Sequence, residues 1–274
     1  MRLAKALLAL PLLASVACSD QSLPTAAAPS APRFIIGGEL TGSSFGNVGA
    51  VLYDFGGDGV DADDWYCTGS LISTTVFLTA AHCLEFLPAG AQVYVSFDPD
   101  MGAKSRKLIA ARAFHYDPLF PGTQNDPHDI GVVILPSDKT KGIAPLSLPP
   151  AGYLDGLAAQ NGLKDQLFVN VGYGGDATAS GIPTISYDGV RKVSKSPFQA
   201  LENFWLVLNM NGNATGEGGD CYGDSGGPKF LDGNTTMVVA TVVTGDVPCR
   251  ATSKDYRLDT RPARAFLGQF VPLP

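Results

Sequence analysis

From residue 49 to residue 243 the chain alternates short apolar runs with clusters of Gly, Pro, Asn and Asp. The runs fall at 49–53, 70–73, 76–79, 92–97, 108–114, 130–135, 167–171, 204–208 and 237–243. Many short strands at this spacing predict an antiparallel β-barrel or sandwich rather than a helical or α/β protein. The C-terminus changes period. After Asp259-Thr260, which reads as a cap, and Pro262 in the first turn, Ala263, Phe266, Leu267, Phe270 and Val271 recur at helical spacing. One amphipathic α-helix is expected to close the chain against the β body. No internal repeat is evident.

The N-terminus follows neither pattern. Arg2 and Lys5 precede an apolar run at 6–14 that is too short to span a bilayer, so residues 1–18 read as a secretory signal peptide. Residues 19–34, with Pro24, Pro29 and Pro32 among Ala, Ser and Thr, read as a linker or propeptide, which leaves 35–274 as one domain. A secreted or cell-envelope location follows, and it permits disulfides. There are five cysteines, an odd number. Cys18 closes Ser15-Val-Ala-Cys18, a stretch similar to a bacterial lipobox except for Ser15, and is the lipidation candidate that would anchor the protein to a membrane. Cys67, Cys83, Cys221 and Cys249 permit three pairings.

Composition narrows the function classes. Hydrophobic residues make up 45% of the 274, enough for a packed core, whereas charged residues are only 16% and the net charge is -7. Without a basic run, a nucleic-acid partner is excluded. The acidic loop Asp58, Asp61, Asp63 and Asp64 matches no calcium-loop spacing and reads as solvated charge, and no cofactor or metal is expected.

The chemistry concentrates in residues 219–228, where glycines surround Ser225 and Asp224 precedes it. Glycines allow tight turns in which amide N–H groups converge beside a hydroxyl. A serine needs a base, and the three histidines, His82, His115 and His128, all precede it. That order excludes the α/β-hydrolase elbow, whose histidine follows the serine. His82 ends an apolar run among small residues, and Asp129 opens the run 130–135, placed to fix an imidazole tautomer. His115 and His128 sit in aromatic and loop settings that suit surface packing.

Five segments in order, Ile35-Ile-Gly-Gly38, Cys67-Thr-Gly-Ser-Leu-Ile72, Thr79-Ala-Ala-His-Cys83, Asp129-Ile-Gly-Val-Val-Ile134 and Gly223-Asp-Ser-Gly-Gly-Pro228, resemble the trypsin-like (chymotrypsin-fold) serine proteases, in a bacterial secreted form. The resemblance implies two six-stranded antiparallel β-barrels with a C-terminal helix, Ser225 as nucleophile, His82 as base, Asp129 as orienting carboxylate, and an oxyanion hole from the Gly223 and Ser225 amides. It implies disulfides Cys67–Cys83 and Cys221–Cys249. It also implies a zymogen that an activating protease cuts before Ile35, whose new amine pairs with Asp224. Arg33-Phe34 departs from that pattern by one residue. The pocket base falls at Gly219, with Asp220 beside it, Gly245 on the wall and Lys254 facing in. Asp220 alone favours Arg or Lys in a protein or peptide substrate; Lys254 opposes it, leaving small, apolar or acidic side chains open. Val243-Thr-Gly245 replaces the usual Ser-Trp-Gly. A monomer is expected, and the alternative function is that of a non-proteolytic trypsin-fold binding protein.

Overall fold

The apolar runs fold as strands of two sheets in a computed structural model that describes residues 38–177 and 185–274. The residues read as signal peptide and linker, with Cys18 and Ile35, lie outside the described residues. The first strands are β1 (Glu39–Leu40), β2 (Val48–Leu52), β3 (Trp65–Leu71), β4 (Val76–Thr79), β5 (Tyr94–Ser96), β6 (Ile109–Ala110), β7 (Ala113–Tyr116) and β8 (Gly131–Ile134). Strands β2 to β8 form one antiparallel sheet in the order β6-β5-β2-β3-β4-β8-β7. It curls around Val51, Leu71, Phe77, Val95 and Val133. Among the described residues no ladder joins β6 to β7, so this half is a curled half-barrel of seven strands.

The second half comprises β9 (Leu167–Gly172), β10 (Asp176–Ala177), β11 (Ile185–Ser186), β12 (Lys192–Leu201), β13 (Trp205–Asn209), β14 (Pro228–Leu231), β15 (Ala240–Gly245) and β16 (Thr252–Arg257). Here the sheet does close. The first half of β12 pairs with β9 and its end pairs with β13 across a register shift between Phe198 and Ala200, which completes a six-stranded barrel through β16, β15 and β14. β1 adds to β12 through Glu39↔Val193, and β10–β11 forms a separate hairpin.

Strand β12 was not legible as an apolar run because its inward side chains are polar. Lys192, Ser194 and Ser196 are buried while Val193, Lys195 and Pro197 are partly exposed. The C-terminal helix is α3 (Arg261–Leu267), following α1 (Tyr153–Ala159) and α2 (Gly212–Thr215). It buries Ala263, Phe266 and Leu267 against Val48, Val169 and Phe230, residues from both halves. Its expected side-chain cap is not made: Thr260 Oγ1 donates to the Arg257 carbonyl, and Asp259 accepts from Leu154 N and from the Arg257 guanidinium. Pro262, pre-set in φ, lies in the first turn of the helix, which begins at Arg261.

Candidate active site

His82 is held where β4 ends in a single 3₁₀ turn, Ala81–Cys83, pinned by the Cys67–Cys83 disulfide to β3. Asp129 comes from the residues leading into β8, which pairs with β4 in the register Thr79↔Gly131. That register brings the carboxylate under the imidazole. Asp129 Oδ2 is 2.7 Å from His82 Nδ1, and Oδ1 accepts the His82 backbone N–H at 2.9 Å. A carboxylate can only accept here, so Nδ1 carries the proton and Nε2 keeps its lone pair for the cleft.

Ser225 lies in a turn whose backbone is bonded on every side. Its carbonyl accepts from Thr68 N at 2.9 Å, Gly226 N donates to Val242 O, and Gly227 N donates to Asp224 O. Two glycines here answer a specific need. Gly223 has φ +97° and a Cβ would lie 2.6 Å from the Trp65 ring; Gly226 has φ +80° and a Cβ would lie 2.2 Å from Thr79 Oγ1. The same bonds orient two amides. Tyr222 O accepts from Gly175 N and Asp224 O from Gly227 N, and in a planar trans peptide the N–H points opposite to its carbonyl. The N–H groups of Gly223 and Ser225 are therefore turned away from these acceptors. Gly223, Ser225 and His82 line one cavity of about 970 Å³.

Asp224 turns inward. It is buried and accepts from Gly174 N and Cys221 N, each at 2.8 Å. Burial pushes its carboxyl up to about 7, and the charge of Asp220 adds to this. Among the described residues no cation pairs with it.

The cysteines are bonded as Cys67–Cys83 and Cys221–Cys249. Cys67, Cys83 and His82 converge as a metal site would, but a disulfide offers no thiolate. His115 stacks near Phe270, and His128 is engaged by Asp117 and Asp126, so neither joins the cluster around Ser225.

The pocket differs from its sequence reading. Asp220 and Gly245 line the cavity. Lys254 does not: its Nζ lies 3.5 Å from Glu202 Oε2 and over the Trp205 ring. Strand alternation puts its neighbours inward instead, and Ser253 and Asp255 are both buried. The cation that meets Asp220 is Lys229 of β14, fully buried. Sequence reasoning missed Lys229, Ser253, Asp255 and Met210. The available signal was the polar residue at the centre of the β-prone Pro228-Lys-Phe-Leu231, a lysine that only a buried acid would tolerate.

Three comparisons bear on this geometry. Residues 51–264 match the Trypsin family model. A trypsin of Phaedon cochleariae is 30% identical over 183 residues, covering 64% of this chain and 68% of the relative. A collagenase of Hypoderma lineatum is 26% identical over 187 residues, covering 66% of each. The solved structure of HL collagenase superposes with a TM-score of 0.60 at 18% identity, over 85% of this chain and 95% of that one, a likeness of fold.

Proposed function

Because the chain belongs to the trypsin family and is a serine-type endopeptidase, we propose that Ser225, His82 and Asp129 form its catalytic triad. The observation that carries this reading is the two-point hold of Asp129 on His82, with His82 and Ser225 lining the same cavity. His82 Nε2 takes the Ser225 hydroxyl proton as Oγ attacks the scissile carbonyl of a protein or peptide substrate. The Gly223 and Ser225 amides receive the oxyanion, a contribution of about 3 kcal/mol per donor in the transition state. His82 then gives its proton to the departing amine, leaving an acyl ester on Ser225. Water, deprotonated by His82, attacks that ester, and the proton returns to Oγ.

The same reading makes the enzyme a zymogen. The carboxyl of Asp224, raised by burial, has room in its chemistry for one cation, and an amine at Ile35 freed by an activating protease supplies it. The disulfides are consistent with an exported protein, and no described helix is long and apolar enough to cross a membrane. Removal of residues 1–18, a bacterial-type lipid anchor at Cys18, the 19–34 propeptide and a monomeric state belong to this proposal.

The test is hydrolysis of a peptide library by the processed protein and by Ser225→Ala. Cleavage lost in the variant at unchanged thermal stability is the expected result. Equal cleavage by both would move the nucleophile elsewhere, and none by either would favour the binding-protein alternative.

A further inference from the structure

Asp220 and Ser253, which line the cavity, belong to a buried polar cluster that the triad does not use. Lys229 Nζ has three N–H donors and three acceptors around it: Asp220 Oδ1, Asn170 Oδ1 at 2.7 Å and Asp255 Oδ1 at 3.5 Å. The other oxygen of Asp220, Oδ2, lies 2.6 Å from Ser253 Oγ. Both Asp220 oxygens are thus committed within the protein. Ser253 Oγ is also 2.8 Å from Asp255 Oδ1, yet one hydroxyl proton cannot serve two carboxylates. Burial raises the Asp255 carboxyl above its ordinary range, and the neighbouring Asp220 adds to this.

Its order extends to the backbone that leads into Asp220. Asn170 Nδ2 donates to Ser194 Oγ at 3.0 Å and to Ser196 Oγ at 2.8 Å, and these hydroxyls donate to the carbonyls of Gly219 and Gly218. Met210 lines the cavity beside Asp220. A Cβ on Gly219 would lie 2.3 Å from its Cγ and Sδ, and Asp220 N donates to Sδ at 3.2 Å. An entering side chain therefore meets the Met210 thioether and an Asp220 that is already paired.

We propose that Lys229 is the specificity-determining residue of the pocket: it neutralises Asp220, so the enzyme selects uncharged apolar side chains on the residue whose carbonyl is attacked and rejects Arg and Lys. The inference rests on the catalytic reading above and specifies its substrate class. A basic side chain entering this space finds no free counter-charge and approaches a like charge, the situation in which burying an ion costs most. In the sequence Asp220 alone favours Arg and Lys, because its partner Lys229 is not visible there.

The test compares kcat/KM of the processed enzyme on peptides that differ only in having Leu, Met, Arg, Lys or Glu at that residue. Leu and Met are expected to exceed Arg and Lys by about a hundredfold. Lys229→Met frees Asp220 and is expected to move the Arg-to-Leu ratio up by about a hundredfold. Removing one partner of a buried pair can prevent folding, so Asp220→Asn supplies a second arm. With the acid gone and Lys229 kept, Arg and Lys stay rejected and Glu gains. Benzamidinium binding, measured by calorimetry on Ser225→Ala backgrounds, needs no turnover; the Lys229→Met protein is expected to bind it about tenfold or more tightly than its parent. Preference of the wild type for Arg or Lys, lost in Asp220→Asn, would overturn the proposal. Absence of any peptide cleavage would overturn the catalytic reading alone, because benzamidinium binding still decides whether Lys229 shields Asp220.

Discussion

Asp129 grips His82 twice, with Oδ1 on the backbone N–H at 2.9 Å and Oδ2 on Nδ1 at 2.7 Å. The double contact predicts what Asp129→Asn does. The amide oxygen remains on the backbone N–H, because only an oxygen can accept there, and the NH₂ group then faces Nδ1. An NH₂ against Nδ1 forces the proton to Nε2 and removes the lone pair that Ser225 needs. A fall in kcat of about four orders of magnitude is expected, the size such a tautomer error has in the family's own template, with stability little changed. Steady-state kinetics with thermal unfolding checks this; a loss below about tenfold would mean that the tautomer does not matter.

Gly223→Ala should separate site geometry from folding. At φ +97° with the Trp65 ring 2.6 Å from the new Cβ, the loop must shift and carry the oxyanion amide with it. A kcat loss of about a hundredfold to a thousandfold is expected, accompanied by measurable destabilisation. Relief in the double variant Gly223→Ala/Trp65→Ala would identify the clash as the cause.

The buried acids set a pH dependence. Asp224 and Asp255 are raised from 3.8 to about 7 and about 8. The folded protein then binds more protons than the unfolded chain between these limits. This part of the stability is fully present below about pH 4 and is lost as pH rises through about 7 and 8. Urea midpoints of the unprocessed chain should fall from pH 5 to 8.5, with Asp255→Asn giving a shallower decline. A flat wild-type profile would contradict the raised carboxyls.

Processing should alter that profile. An Ile35 amine beside Asp224 favours its ionised form, so the cut protein gains stability over the uncut one at pH 8 and little at pH 5. N-terminal sequencing of the active enzyme should begin at Ile35. Full activity with a start at Phe34 or Cys18 would contradict the ion pair.

The disulfides close loops of 16 and 28 residues. Replacing either pair by serines is expected to cost about 3 kcal/mol on the chain-entropy view. Loss of Cys221–Cys249, which borders the cavity, should also raise KM. Denaturant unfolding and KM together test the two effects.

The proposed triad could be read from the sequence because each of its residues sits in a short local motif, Thr79-Ala-Ala-His-Cys83, Asp129-Ile-Gly-Val-Val-Ile134 or Gly223-Asp-Ser-Gly-Gly-Pro228, where a few neighbours determine the conformation. The pocket was not, because its residues meet only in the barrel. Lys229 finds Asn170 across 59 positions and Asp220 across 9. β16 shows how small an error suffices. Lys254 was read as facing in, but β16 alternates regularly against β13, from Trp205↔Tyr256 to Asn209↔Thr252. That alternation turns Ser253 and Asp255 inward and Lys254 outward, over the Trp205 ring. Strand β12 was hidden for the reverse reason, since Lys192, Ser194 and Ser196 face inward where an apolar alternation was sought. The two-barrel, all-β fold was legible, whereas the degree to which each sheet closes depends on pairings between strand ends that no local pattern encodes.

The most direct test of the central claim is mass spectrometry of the processed protein after reaction with a fluorophosphonate. One adduct per chain is predicted, mapped to Ser225 in the peptide that contains Gly223-Asp-Ser-Gly-Gly-Pro228, and absent from His82→Ala and Ser225→Ala. An adduct on another serine, or labelling of wild type and His82→Ala at the same rate, would contradict it.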